Sequence, residues 1–174
     1  MDVNDAINKR ASIRKYEAAT LSPAIVTQLL DSARMAPSAN NQQTWEFIWI
    51  TDPQIREQLF DVCRSSYGQM PYLKECSGII AAVCKPSDNE RWVKFNIALA
   101  MANITLTAVQ LDLGTCFIGA FEPSKVGAIL QVPIDHEVVI LLTVGKPNEL
   151  GKDKERKPLN TISYHDTFGQ SLLK

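Results

Sequence analysis

Apolar residues recur along this chain at two spacings, and the spacing changes from one segment to the next. Recurrence every three or four residues marks one face of a helix, whereas a short unbroken apolar run marks a buried strand. Val3, Ala6 and Ile7, followed by Arg10, predict a short opening helix. Ser22-Pro23 reads as an N-cap with proline at the first helical position. Val26, Leu29, Leu30 and Ala33 carry that second helix to about Met35, and Pro37 ends it. Residues 47–50 form a short strand, after which Asp52-Pro53 repeats the cap-then-proline start with Ile55, Leu59, Phe60 and Val62 on the new helix. The run 79–84 is apolar at every position and predicts a strand covered on both faces.

Asp88 or Asn89 caps a long helix that reaches about Leu113 and is apolar almost all round from Phe95 to Leu111. A membrane span needs about 20 predominantly apolar residues. Asn96, Asn103, Thr105, Thr107 and Gln110 interrupt this one, so it reads as a buried central helix. Gly114 stops it, a strand follows over 115–118 and ends at Gly119, and Glu122-Pro123-Ser124 opens a small helix with Val126 and Leu130. The run 138–144 is the most strand-like in the chain, and the tail from Gly151 is charged and then mixed, with Tyr164 and Phe168 as isolated anchors. Strands alternating with helices imply one three-layered domain, α/β or α+β, spanning residues 1–174.

Composition narrows the function classes. A chain of 174 residues that is 45% hydrophobic can bury a sizeable core, and its net charge of -1 offers no general attraction to nucleic acid. Four Cys without a C-x-x-C pair, beside only His136 and His165, give no zinc-site spacing, and no metal is expected. Cys84 and Cys116 sit in apolar runs as buried free thiols. The acidic start lacks the apolar stretch of a signal peptide, so the expected compartment is the reducing cytoplasm, with no membrane role. There is no phosphate-loop motif, no G-x-G-x-x-G after a strand, no G-x-S-x-G and no H-E-x-x-H; any enzymatic reactivity would come from a cofactor.

Three polar segments stand out. In 10–16, Arg10, Ser12 and Arg14 alternate, so an extended backbone points all three the same way. Two guanidiniums and a hydroxyl suit an anionic ligand, although a solvated surface run has the same spacing. Residues 36–47 form a loop dense in Asn and Gln, whose amides match the edge of a heteroaromatic ring and equally suit ordinary turns. Residues 154–159, with Gly145-Lys146-Pro147 before them, form a basic run near the end of the chain.

In order along the chain, R-x-S-x-R, A-P-S-A-x-N-x-Q-x-W-x-F, L-G-T-C-F-I-G-A-F after a long apolar helix, G-K-P and K-x-R-K-P-L resemble the nitroreductase family of flavin enzymes. The resemblance runs from Val3 to about Tyr164. It implies an α+β, three-layer nitroreductase-like fold, with a central mixed, mainly antiparallel sheet flanked by helices and a long buried central helix. It also implies FMN bound at a homodimer interface, NAD(P)H as reductant, and a small electron-poor acceptor such as a nitroaromatic or quinone, served in a ping-pong sequence. By the same resemblance Arg10 and Ser12 meet the phosphate and ribityl end of FMN, Arg14 lies near N1 and O2 of the pyrimidine, and Lys154 and Arg156 form a second phosphate clamp. Pro37, Ser38 and Ala39 match the loop beside the isoalloxazine ring, with Asn41 and Gln43 at its amide positions and part of the loop serving the neighbouring subunit. Gly119 and Ala120 match the backbone near flavin N5, and Gln69 matches an amide at the pyrimidine edge.

The chain departs from the family pattern at Thr44, where proline is usual and its loss is expected to loosen the loop, and at Asn96, where an acid is expected to open the central helix. It is also short for the family, which implies an open substrate site or one covered by the partner. A flavin-binding module with little turnover, and a reductive dehalogenase or flavin-fragmenting relative, are the alternatives.

Overall fold

Three helices begin on the same chemistry. In the computed structural model, which describes residues 1–66, 68–86, 90–152 and 155–172, Pro23, Pro53 and Pro123 each occupy a first helical turn, where a missing N–H costs nothing. The Asp52 carboxylate accepts hydrogen bonds from the N–H groups of Gln54 (2.8 Å) and Ile55 (3.0 Å). The cap expected at Asp88 or Asn89 lies outside the described residues.

The helices are α1 (Val3–Lys9), α2 (Pro23–Arg34), α3 (Pro53–Val62), α4 (Tyr72–Glu75), α5 (Glu90–Gln110) and α6 (Pro123–Ile129). The strands are β1 (Glu46–Ile50), β2 (Arg64–Ser65), β3 (Gly68–Gln69), β4 (Gly78–Cys84), β5 (Gly114–Ile118) and β6 (Glu137–Gly145). β1, β4, β6 and β5 form one antiparallel sheet in that order, and a single parallel bridge joins Ser12 to Thr115 on the β5 edge. The sheet is therefore mixed and mainly antiparallel. The ribbon of β2 and β3, and the four-residue α4, escaped the sequence reading because elements so short show no periodicity.

β4 is buried at every residue, because both neighbours are strands and both faces carry helices. Ile80, Ala82 and Cys84 pack with Leu29 and Ala33 of α2 and with Ile97, Met101 and Ile104 of α5. Ile79, Ala81 and Val83 face Leu59 of α3, Leu73 of α4 and Val126 of α6. Two apolar cores on one sheet make the three layers.

Helix α5 meets the length and hydropathy of a membrane span over Trp92–Gln110, but here it packs against the sheet and α2 through one face. That burial is one-sided. Trp92, Phe95 and Leu99 are exposed by 45%, 50% and 46% along the opposite face. Tyr164 and Phe168 do not anchor the tail to either core: they pair with each other, ring centroids 4.6 Å apart, and Phe168 remains 91% exposed. All four cysteines are free and buried, as expected for Cys84 and Cys116.

Candidate functional site

The segment after α1 is a strap laid along the β5 edge. Ile13 N–H donates to the Thr115 carbonyl (2.9 Å), Asn148 N–H to the Lys15 carbonyl (2.9 Å) and Glu17 N–H to the Lys146 carbonyl (2.9 Å). Ile13 and Tyr16 are its two buried side chains. Ile13 turns inward and lies so close to Gly114 that a Cβ there would sit 2.7 Å from it. Ala11 faces Gly151, where a Cβ would sit 2.4 Å from the Ala11 methyl. Tyr16 is buried, its hydroxyl donating to the Ile13 carbonyl (2.8 Å) and lying 2.8 Å from Thr143 Oγ1. Arg14 is exposed, and Arg10 and Ser12 are half-buried.

Gly151 is where the C-terminal segment crosses the strap, and a crevice of about 870 Å³ opens there. Lys9, Arg10, Ala11, Gly151, Lys152 and Arg156 are among its lining residues, so cations from both ends of the chain converge. Ile7 and Asn8 complete the described lining, which contains no carboxylate. Lys154 lies outside the described residues. Lys9 and Lys152 were not singled out from the sequence; the two-residue rhythm of Lys152, Lys154 and Arg156 was the available signal for Lys152.

Arg10 also borders a second cleft of about 540 Å³ between α5 and the sheet. Its lining is mainly apolar, with Ile97, Ala98, Met101, Phe117 and Ile140, and Lys94 joins Arg10 as a second cation. A charged crevice and an apolar cleft sharing one arginine suit a molecule with an anionic end and a flat ring.

Past Ser12, which bridges to β5, Arg14 is exposed and its Nη1 donates to the Ser12 carbonyl (3.5 Å). Arg14 also reaches Tyr72: burial and Cys116 push the Tyr72 hydroxyl up from its ordinary value, while Arg14 pulls it down. The β5 edge then leads to Gly119 and Ala120. The Ala120 carbonyl accepts from Arg64 N–H (3.0 Å), and Arg64 pairs with Gln69 across the β2–β3 ribbon. Gly119, Ala120 and Gln69 therefore share the end of the sheet on which Arg14 lies, a link the sequence separation hides.

Pro37, Ser38, Ala39, Asn41 and Gln43 lie apart from this group and line neither cleft of their own protomer. Their loop is tied down by its own bonds. Gln43 N–H donates to Ser38 Oγ (3.0 Å), and Asn96 accepts from Ala39 N–H (3.0 Å) while its Nδ2 donates to Thr44 Oγ1 (3.3 Å). Two expectations are corrected. Thr44 secures the loop rather than loosening it, and Asn96 lies well inside α5, 2% exposed, rather than opening it.

The nitroreductase family model matches residues 7–75 and 79–146. A relative from Methanothermobacter thermautotrophicus, whose name covers NADH dehydrogenase and NAD(P)H nitroreductase, is 33% identical over 125 residues, or 70% of this chain and 62% of its own length. The chain thus spans less than two thirds of that protein. An FMN reductase (NADPH) of Bacillus subtilis is 25% identical over 94% of this chain and 73% of its own. The solved structure of an FMN-dependent nitroreductase from Clostridium difficile superposes with a TM-score of 0.82 at 25% identity, covering 94% of this chain and 98% of the other. That chain is as compact as this one, so shortness is no departure from the fold. The match of the family model to both halves of the sheet and to the strap shows that this chain belongs to the nitroreductase family.

Proposed function

We propose that this chain is an FMN-dependent NAD(P)H oxidoreductase that works as a homodimer and reduces an electron-poor ring, a nitroaromatic or a quinone. The observation that carries this reading is the crevice where Lys9, Arg10, Lys152 and Arg156 meet with no carboxylate among the described lining residues. That donor set fits a phosphate, because guanidinium offers a planar fork and the site has no competing anion. FMN, when bound, supplies the chemistry, taking a hydride equivalent from NAD(P)H and passing reducing equivalents to the acceptor.

The chain's own residues bind and orient. Arg10, Lys152 and Arg156, with Lys154, hold the phosphate, and Ser12 offers a hydroxyl to the ribityl chain. Arg14 supplies a cation where negative charge develops on reduction. Gln69 and the backbone of Gly119 and Ala120 meet the polar edge of the ring. Pro37, Ser38, Ala39, Asn41 and Gln43 border the flavin of the partner subunit, a reading supported by their lining neither of the two clefts that share Arg10. The exposed row of Trp92, Phe95 and Leu99 supports the dimer, since a row of large apolar side chains marks a contact surface. No side chain is needed as acid or base when the nicotinamide is oxidised. Four free, buried cysteines suit a reducing compartment.

Because nicotinamide and acceptor use the same place in turn, double-reciprocal plots at several acceptor concentrations are expected to be parallel. Anaerobic NADH or NADPH is expected to bleach the bound flavin, and a quinone to restore its colour. Flavin colour without turnover would leave a binding module instead of an oxidoreductase.

A further inference from the structure

The loop over residues 38–44 is a disfavoured backbone held by its own hydrogen bonds and, from outside, by one buried side chain. Asn40, Asn41 and Gln43 all have left-handed φ, at 52°, 55° and 50°. Asn tolerates that region, but Gln has no such excuse, and L-residues generally avoid it. Such a conformation persists only where its surroundings over-determine it. Here the surroundings are the loop's own bonds, such as Gln43 N–H to Ser38 Oγ, together with Asn96 from outside it. A backbone N–H can only donate, so the contact with Ala39 fixes the amide oxygen of Asn96 toward the loop. Its NH₂ group then faces Thr44 Oγ1, which must accept.

The clamp therefore closes the loop at both ends from one residue of α5 that is 2% exposed. Its two halves depend on each other. With proline at 44 the Asn96 NH₂ would lose the Thr44 acceptor, and a buried donor left without one is costly. Thr44 and Asn96 thus form one hydrogen-bonded pair.

We infer that Asn96 and Thr44 are positioning residues that set the loop against the flavin. Neither lines the crevice or the cleft at Arg10, and they act by fixing Ala39, Asn41 and Gln43. The inference rests on the reading that this loop borders FMN.

The test uses full-length holoenzyme with Thr44→Val, Thr44→Ser and Asn96→Ala, and three readouts: the FMN dissociation constant, the visible circular dichroism of bound flavin, and the melting temperature of the apoprotein. One lost hydrogen bond is typically a loss of about three- to tenfold. Thr44→Val is expected to weaken FMN by about that factor and to change the flavin dichroism, and Asn96→Ala to do both more strongly. Thr44→Ser keeps the hydroxyl and is expected to restore wild-type affinity and spectrum. Adding Thr44→Val to Asn96→Ala is expected to cost nothing further. Wild-type affinity and dichroism in Thr44→Val, with at most a lower melting temperature, would overturn the inference and leave an ordinary structural contact. Wild-type protein that takes up no FMN would instead overturn the functional reading, so the two failures are distinguishable.

Discussion

The cation crevice and the amide loop solve opposite problems. In the crevice, side chains from the two ends of the chain are brought together, and the Arg10 guanidinium makes no ion pair among the described residues. In the loop, the polar groups are largely spent on one another and on Asn96. On the proposed function the crevice gains a ligand's charge, whereas the loop holds a shape. A change in the first should therefore alter affinity with little effect on folding. A change in the second should alter order and geometry first.

The largest effect is expected where the crevice is assembled. Gly151→Val places side-chain atoms inside the 2.4 Å approach to Ala11 and drives the two chain ends apart. Overpacking of this kind costs about 1–3 kcal/mol. Melting temperature and FMN affinity are both expected to fall, and a variant with normal values of both would show that the crossing is not needed.

Arg10→Ala isolates the charge. A charge-assisted contact contributes about 1.5–3 kcal/mol, so FMN affinity is expected to drop roughly 10- to 150-fold. The apoprotein's thermal transition should stay put; a large shift would mean that Arg10 is structural. Tyr16→Phe is the converse. It removes a buried hydroxyl bonded to Ile13 and Thr143, expected to cost about 1 kcal/mol in denaturant unfolding with FMN affinity nearly unchanged.

The smallest effect concerns the far flank of the loop. Asp135 is held at about 2, below its ordinary 3.8, by hydrogen bonds from Lys85 and then His136. A depressed carboxyl contributes stability above its unfolded pKa and loses it as the pH falls through the folded one. The contribution is therefore full above about 4 and gone below about 2, and because the pair is exposed it is small. Lys85→Ala should lower stability slightly at neutrality, where the contribution is full, and leave it unchanged below about pH 2, where the contribution is gone.

The sequence made β4 legible because an unbroken apolar run with strands on both sides has one physical solution. The strap was legible through the alternation of Arg10, Ser12 and Arg14, and the resemblance to the family supplied the partner segment at Arg156. What stayed hidden needed tertiary contact. Asn96 meets Ala39 and Thr44 across 57 and 52 residues, and no local pattern links them. The same holds for Arg14 beside Tyr72, and for the ribbon that carries Gln69 to Ala120. Tyr164 and Phe168 misled because two aromatics in a polar tail look like anchors, whereas here they satisfy each other.

The central claim is that cations from both ends of the chain grip one phosphate. Titrating the apoprotein with FMN and with riboflavin, which lacks that phosphate, tests it most directly, with Arg10→Ala/Arg156→Ala alongside. Wild-type protein is expected to bind FMN far more tightly than riboflavin, and the double variant to lose this preference. Equal affinity for the two flavins in the wild-type protein would contradict it.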